Sequence, residues 1–94
     1  MTIERLDDAT IDARLQELDG WKREGDTITR SLTFDSFLDA ISFINAIADL
    51  AERDDHHPEI FNVYNKVDLT LTTHDADGLT QKDFDLAAKI DGEA

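Results

Sequence analysis

The 94-residue chain has no cysteine, one proline and few basic residues, and each shortage excludes something. Without cysteine there is no disulfide framework, so the fold must rest on its own core, for which a chain of this length buries roughly 60–65% of its unfolded surface. No apolar run approaches the roughly 20 residues of a membrane-spanning helix, and no signal-peptide pattern is visible. We therefore expect a single domain over residues 1–94, cytoplasmic and without a membrane partner.

Basic residues are outnumbered by acidic ones, 9 Lys and Arg against 22 Asp and Glu, which gives a net charge of −13. Such a field repels phosphate backbones, so no nucleic-acid partner is expected. An excess of aspartate with few lysines is also familiar from proteins that work in high salt, where self-repulsion is screened. Composition leaves two alternatives open, a halophilic source and an ordinary acidic protein.

The first third of the chain predicts a short helix followed by a β-hairpin. Apolar residues recur at helical spacing over residues 11–18, after an aspartate pair that can cap the first turn, and Gly20 is placed to end the helix. Residues 21–24 and 27–34 flank a Gly-Asp turn, and the second arm alternates as a strand with one buried face does. Arg30 falls on the apolar side of this alternation, which the sequence alone does not explain.

The middle of the chain predicts the main helix. Ser36 and Asp39 have the spacing of a capping box, and apolar residues then cover most of the circumference as far as Ala51. One sheet-facing stripe spans only about 100° of a helix, so this helix must pack on more than the sheet. A neighbouring helix or another subunit is the expected cover for its large apolar residues, which are Phe37, Leu38, Ile41, Phe43, Ile44, Ile47 and Leu50.

The last part of the chain predicts two strands and a final helix. Pro58 disfavours helical geometry at the preceding residue, so the main helix should end before the histidines. Residues 60–64 and 67–71 read as strands, and residues 79–84 open a helix with a capping box from Thr80 to Asp83. The predicted fold is α+β in the order αββαββα, a four-stranded antiparallel sheet with three helices on one face.

The three histidines are the strongest chemical signal. His56 and His57 lie among carboxylates directly before the only proline, and His74 follows a predicted strand that can return it to them. A helix C-terminus is partially negative, and Glu52 and Asp55 are acids where the helix dipole disfavours them, so both effects favour imidazolium. Acids at the unfavourable end of a helix suggest that local stability is given up for function. The alternative is a solvated acidic loop.

The spacing of these residues resembles the signature of the pterin-4a-carbinolamine dehydratases. It reads Glu, three residues, His-His-Pro, five residues, Tyr, nine residues, His, eight residues and Asp, which falls on Glu52, His56, His57, Pro58, Tyr64, His74 and Asp83. The Leu-Asp-Gly-Trp segment at 18–21 and the whole run 56–83 resemble the same family, so the resemblance covers nearly the entire chain.

The resemblance implies a dehydratase that removes water from 4a-hydroxytetrahydrobiopterin to give quinonoid dihydropterin, in pterin cofactor recycling. Hydroxide is a poor leaving group, so a general acid should protonate it while a base takes the N5 proton, and imidazole suits both roles near neutral pH. By resemblance His56 and His74 form the acid–base pair, and His57 mainly binds substrate. The reaction needs no redox centre, so no cofactor is expected.

Further residues enter the site by resemblance. The substrate-binding set is His57, Pro58, Thr73, Asp75 and Trp21, and the supporting set is Glu52, Asp55 and Asp83. Asp83 has a second explanation, because a capping box accounts for it without catalysis. Trp21 and Tyr64 are more simply core or rim aromatics. Members of the family form homodimers and homotetramers, so the expected partners are a small-molecule pterin and further copies of the chain.

Two other functions compete with this one. Three histidines near carboxylates could hold zinc or iron, but adjacent side chains of an extended segment point in opposite directions, so His56 and His57 are awkward ligands for one ion. We therefore expect no metal. The second alternative is a non-enzymatic dimerisation or regulatory module, since animal members of the family also serve as cofactors of a homeodomain transcription factor.

Overall fold

The computed structural model describes residues 4–94, so the first three residues of the predicted domain lie outside it. Its elements are α1 (Asp8–Gln16), β1 (Lys22–Glu24), β2 (Thr27–Thr33), α2 (Phe37–Asp54), β3 (Glu59–Val63), β4 (Lys66–Leu71) and α3 (Gln81–Asp91), with a 3-10 turn at His74–Ala76. This α+β arrangement and its αββαββα order confirm the prediction. Within the described range, no helix has both the length and the apolar character needed to cross a bilayer.

The four strands form one antiparallel sheet in the order β1-β2-β4-β3. The register of the two central strands sets one face of the sheet, with Ile28 opposite Leu71, Arg30 opposite Leu69, and Leu32 opposite Val67. All three helices contribute buried residues to the core on that face, namely Ile11 from α1, Ala40, Phe43 and Ile47 from α2, and Phe84, Leu86, Ala87 and Ile90 from α3.

Helix α1 begins as predicted but ends earlier than Gly20. Asp7 caps it by accepting a hydrogen bond from the Thr10 amide at 2.8 Å. At its other end the Glu17 amide donates to the Arg14 carbonyl at 3.1 Å. This hydrogen bond spans three residues instead of four, as in a 3-10 turn, and the α-helix stops at Gln16. Gly20 instead makes a turn beyond the helix, with φ of +80°.

Helix α2 packs against both β4 and α3, so a neighbouring helix covers part of its apolar surface as predicted. Ser36 caps it through a 3.1 Å hydrogen bond from the Asp39 amide. Phe43 and Ile47 are buried, whereas Phe37 and Leu38 in the first turn stay 46% and 73% exposed. The excess apolar surface that the sequence predicts is therefore located at the N-terminal end of this helix.

Arg30 is explained by an ion pair on the core side of the sheet. Its guanidinium pairs with the carboxylate of Asp91 at the end of α3, which also accepts a 2.8 Å hydrogen bond from Trp21 Nε1. A cation on an apolar face is tolerable when it is paired and hydrogen-bonded. This cluster links β2, α3 and the segment before β1.

Candidate active site

The chain turns out of α2 immediately before the histidines. Asp55 adopts the left-handed conformation with φ of 49°, and the His56 amide bonds back to the Ala51 carbonyl at 3.1 Å. This conformation is costly for a residue other than glycine, although aspartate tolerates it better than most. The helix thus ends before His56, as Pro58 predicted, and the two histidines emerge on an extended segment leading to β3.

A second loop brings His74 to the same place. After β4 the backbone of Thr73 pairs with Gly78, with N to O distances of 3.0 and 3.3 Å in the two directions. The 3-10 turn that begins at His74 is enclosed by this pair. The loop is therefore closed at its base, and its histidine is presented at the end of a central strand.

All three histidines line one cavity of about 240 Å³. Its lining residues are Asp55, His56, His57, Thr72, Thr73, His74, Asp75 and Lys82. Six of these eight belong to the predicted site, and every one of them is polar or charged. Because the lining comes from two loops and the first turn of α3, the cavity exists only in the folded chain.

The imidazole of His56 is hydrogen-bonded to a buried carboxylate. Its Nε2 lies 2.6 Å from Oδ1 of Asp83, a residue with no exposed surface. With the carboxylate ionised, Nε2–H is the donor, so Nδ1 is the ring nitrogen left to exchange a proton. A buried charge-assisted hydrogen bond of this length fixes both the tautomer and the orientation of the ring.

The other oxygen of Asp83 explains why this carboxylate tolerates burial. Oδ2 accepts hydrogen bonds from Thr73 Oγ1 at 2.8 Å and from the Thr80 amide at 3.0 Å. The Thr80 amide bond forms half of the predicted capping box of α3, which is present in full. The two explanations of Asp83 are thus compatible, because one oxygen caps the helix and the other holds His56.

His57 has a different partner on the surface. Its Nε2 lies 3.0 Å from Oε1 of Glu52, and both side chains are exposed. His74 is also exposed, on the opposite loop. The cavity therefore holds one anchored imidazole and two that solvent reaches.

Trp21, Pro58 and Tyr64, which the family resemblance also singled out, are not among the residues that line this cavity. Trp21 is buried, and its indole N–H donates a hydrogen bond to Asp91. Asp91 lies eight positions beyond Asp83 on α3, about 12 Å along the helix axis. Pro58 is half-buried, between the histidines and β3. Tyr64 is not a core residue, since it is exposed in the β3–β4 turn with φ of 52°.

Sequence reasoning missed two lining residues, Thr72 and Lys82. Thr72 carries no separate signal beyond its place next to Thr73. Lys82 had one, because it is a cation in the first turn of α3, where the helix dipole favours anions. The argument that singled out the acids at the end of α2 applies equally to this lysine.

The chemistry of the lining suits proton transfer. Imidazole both donates and accepts protons near neutral pH, and here three imidazoles face one small polar space. Within residues 4–94, no group of three or more His, Cys, Asp or Glu side chains has an arrangement that could hold a metal ion.

Several known proteins are similar to this chain in sequence. A family model described as pterin 4 alpha carbinolamine dehydratase matches residues 4–93. Relatives from Roseiflexus sp. (54% identical over 87 residues, 93% of this chain and 94% of that one) and Thermomicrobium roseum (51% over 86 residues, 92% of each) carry the name "Putative pterin-4-alpha-carbinolamine dehydratase".

Solved structures agree. A crystal structure from Brucella melitensis, described as a transcriptional coactivator/pterin dehydratase, has a TM-score of 0.94 and 42% identity, with 97% of this chain and 99% of that one covered. A pterin dehydratase-like protein described as a RuBisCO assembly factor of the alpha-carboxysome shares the fold, at a TM-score of 0.69 and 24% identity over 80% of this chain and 89% of that one. The chain belongs to the pterin-4-alpha-carbinolamine dehydratase family.

Proposed function

We propose that this chain is an active dehydratase that converts 4a-hydroxytetrahydrobiopterin to quinonoid dihydropterin in cytoplasmic pterin recycling. One observation carries the proposal. His56 and His74, which are 18 residues apart in sequence, line the same polar cavity, and His56 is hydrogen-bonded to the buried carboxylate of Asp83. Family membership supports the same reaction.

The reaction is a β-elimination of water that needs only proton transfers. One histidine donates a proton to the 4a-oxygen as the C4a–O bond breaks and water leaves. The other removes the N5 proton, and the electron pair of the N5–H bond forms the C4a=N5 double bond. Each transfer by a positioned group contributes about 10²–10⁴-fold to the rate.

His56 and His74 are the proposed acid–base pair. Asp83 occupies Nε2 of His56, which leaves Nδ1 as the nitrogen that meets the substrate. His74 comes from the opposite loop and lines the same cavity, so we assign the second proton transfer to it. His57, with Glu52 as its surface partner, binds substrate together with Thr73 and Asp75.

A dehydration assay with synthetic 4a-hydroxytetrahydrobiopterin tests the proposal. The wild-type chain should accelerate the loss of water above the spontaneous rate, and His56→Ala or His74→Ala should lower kcat at least tenfold. His57→Ala should raise KM more than it lowers kcat. The three variants are matched controls for one another, provided that circular dichroism shows native helix content.

A wild-type chain that leaves the spontaneous rate unchanged would contradict the enzyme proposal and favour the non-enzymatic module. Wild-type rates in both His56→Ala and His74→Ala would instead contradict the assignment of the pair, even if the chain is a dehydratase.

We further propose that the chain is a homo-oligomer, a dimer or a tetramer. Large apolar side chains are exposed on the first turn of α2 and along the edge strand β3 with its turn, namely Phe37, Leu38, Ile60, Phe61, Val63 and Tyr64. Exposed apolar surface of this kind marks interaction sites, and closed symmetry favours even assemblies.

Sedimentation at low and high salt tests the oligomer. Because each copy carries a net charge of −13, association should strengthen as salt screens the repulsion. A second measurement on Phe61→Gln should show weaker association. A chain that stays monomeric at micromolar concentration in molar salt would contradict the proposal.

A further inference from the structure

Two buried threonine hydroxyls join the hydrogen-bond network of Asp83. Thr73 and Thr80 are 5% and 1% exposed, and Asp83 has no exposed surface. The three side chains form one connected chain, in which Thr80 Oγ1 lies 2.8 Å from Thr73 Oγ1 and this oxygen lies 2.8 Å from Oδ2 of Asp83. Buried polar groups are costly unless each of them is hydrogen-bonded, so the arrangement of this chain is tightly constrained.

The charge on Asp83 fixes the direction of every proton in the chain. An ionised carboxylate only accepts hydrogen bonds, so the Thr73 hydroxyl is the donor to Oδ2. A hydroxyl has a single proton, so Thr73 can only accept from Thr80, whose hydroxyl is therefore the donor between them. Thr80 Oγ1 in turn accepts from the backbone amide of Lys82 at 3.3 Å. All of these donors consequently point toward the carboxylate.

The carboxylate receives three hydrogen bonds, and one of them comes from the proposed proton-transfer residue. His56 Nε2 lies 2.6 Å from Oδ1, while Oδ2 accepts from the Thr73 hydroxyl at 2.8 Å and from the Thr80 backbone amide at 3.0 Å. Across residues 4–94, no buried side-chain nitrogen or oxygen is left without a hydrogen-bond partner. The position of the Asp83 carboxylate is thus set jointly by these donors, and the loss of one releases part of the constraint.

The Thr73 proton is not available to a substrate, although Thr73 lines the cavity, because that proton is donated to Asp83. Building on the proposed dehydratase function, we infer that Thr73 is a positioning residue for His56. Its hydroxyl, oriented by Thr80, holds the carboxylate of Asp83 in place. The carboxylate then keeps the proton of His56 on Nε2 and leaves Nδ1 free for the reaction.

Thr73→Val tests this role, because valine has nearly the shape of threonine but lacks the hydroxyl. In the dehydration assay kcat should fall about tenfold, the loss expected for one hydrogen bond to a charged group, while KM changes less than about twofold. Thr73→Ser keeps the hydroxyl and should recover most of the lost kcat. Urea unfolding shows whether each variant is folded, and if valine prevents folding, Thr73→Ala removes the same hydroxyl with a smaller side chain.

Thr70→Val is the matched control. Thr70 lies in β4, three residues before Thr73, and does not line the histidine cavity, so the same chemical change there should leave kcat and KM unchanged. The double variant with His56→Ala tests whether the effect passes through His56. Thr73→Val should cost about tenfold in kcat in the wild-type background and almost nothing once His56 is alanine.

The tautomer of His56 gives a readout that needs no turnover. In a neutral imidazole the protonated and the unprotonated nitrogen give distinct signals in a nitrogen NMR spectrum. Wild type and Thr73→Ser should show the proton of His56 on Nε2. Thr73→Val should show a larger share of the form with the proton on Nδ1, because its carboxylate partner is less firmly held.

A wild-type kcat in Thr73→Val, or equal losses in Thr73→Val and Thr73→Ser, would overturn the positioning role and leave the dehydratase proposal intact. A higher KM with unchanged kcat would overturn it as well, because Thr73 would then act only in substrate binding. If the wild-type chain did not dehydrate the substrate, the proposed function would fail. The tautomer would then decide the positioning role, since an unchanged tautomer in Thr73→Val would overturn it and a shifted one would support it.

Discussion

Two histidines that line the same cavity each have a carboxylate partner, and the two pairs differ in nearly every physical respect. His56 and Asp83 are joined at 2.6 Å, and their side chains are 10% and 0% exposed. His57 and Glu52 are joined at 3.0 Å, and theirs are 56% and 79% exposed. Burial strengthens an electrostatic hydrogen bond, whereas solvent-exposed ion pairs contribute only about 0–1 kcal/mol. The first pair holds its imidazole in one orientation, and the second leaves its imidazole free to adjust.

The origins of the two pairs explain the difference. Asp83 reaches His56 across 27 residues of sequence and is satisfied on its other oxygen by Thr73 and Thr80. Glu52, in the last turn of α2, reaches His57 across only five residues of sequence. A tertiary contact thus anchors the proposed proton-transfer residue, while a local contact steadies the proposed substrate-binding one.

The largest expected effect comes from breaking the buried pair. In Asp83→Asn the side-chain oxygen can still accept a hydrogen bond from the Thr80 backbone amide. The side-chain nitrogen, however, donates to His56 Nε2, so the neutral imidazole must carry its proton on Nδ1 instead. We expect kcat to fall about 10²-fold, within the range of one general acid–base contribution. Asp83→Ala should also destabilise the fold by about 1–3 kcal/mol, because it strands the buried Thr80 amide.

Urea unfolding and the dehydration assay measure the two effects separately. A fall in kcat for Asp83→Asn that matches the fall in folded fraction would mean that Asp83 serves only as a helix cap. If Asp83 positions His56, kcat of this isosteric variant should fall far more than its folded fraction does.

An intermediate effect, on stability alone, is expected at the Arg30–Asp91 pair. Arg30→Met should leave Asp91 with only the Trp21 hydrogen bond and cost about 1–3 kcal/mol in the free energy of unfolding. The pair lies at the opposite end of α3 from the cavity, so kcat of the folded protein should not change. A reduced kcat with unchanged stability would instead support a role for Trp21 at the substrate, as the family resemblance implies.

The smallest effect is expected at the exposed pair. Glu52→Gln should raise KM less than about fivefold, which corresponds to the 0–1 kcal/mol of a surface pair. In 1 M salt, where the Debye length is about 3 Å, the difference from wild type should shrink further. Measuring KM of wild type and Glu52→Gln over a range of salt concentrations checks this. A large rise in KM that persists at high salt would show that the exposed pair contributes as much as the buried one.

Much of the fold could be predicted because its signals are local. Alternation defined the strands, Ser36 and Thr80 marked the starts of the two larger helices, and Pro58 placed the end of α2 before the histidines. The predicted end of α1 was wrong, because a last turn of 3-10 type stops the helix at Gln16 before it reaches Gly20.

The site was less predictable because its arrangement depends on contacts between distant residues. Spacing and family resemblance named six of the lining residues, yet no sequence pattern indicated that the two oxygens of Asp83 divide between a helix cap and His56. The ion pair of Arg30 needed the position of Asp91, 61 residues away. Lys82 was detectable from its place in a helix, but the cavity that it lines with the histidines forms only in the folded chain.

The most direct test of the central claim is a double-mutant cycle on kcat, with wild type, His56→Ala, Asp83→Asn and the combination. If Asp83 acts through His56, its substitution should cost about 10²-fold in the wild-type background and almost nothing once His56 is alanine. Losses that multiply in the double variant would contradict the account, because they would show that the two residues contribute to the reaction independently.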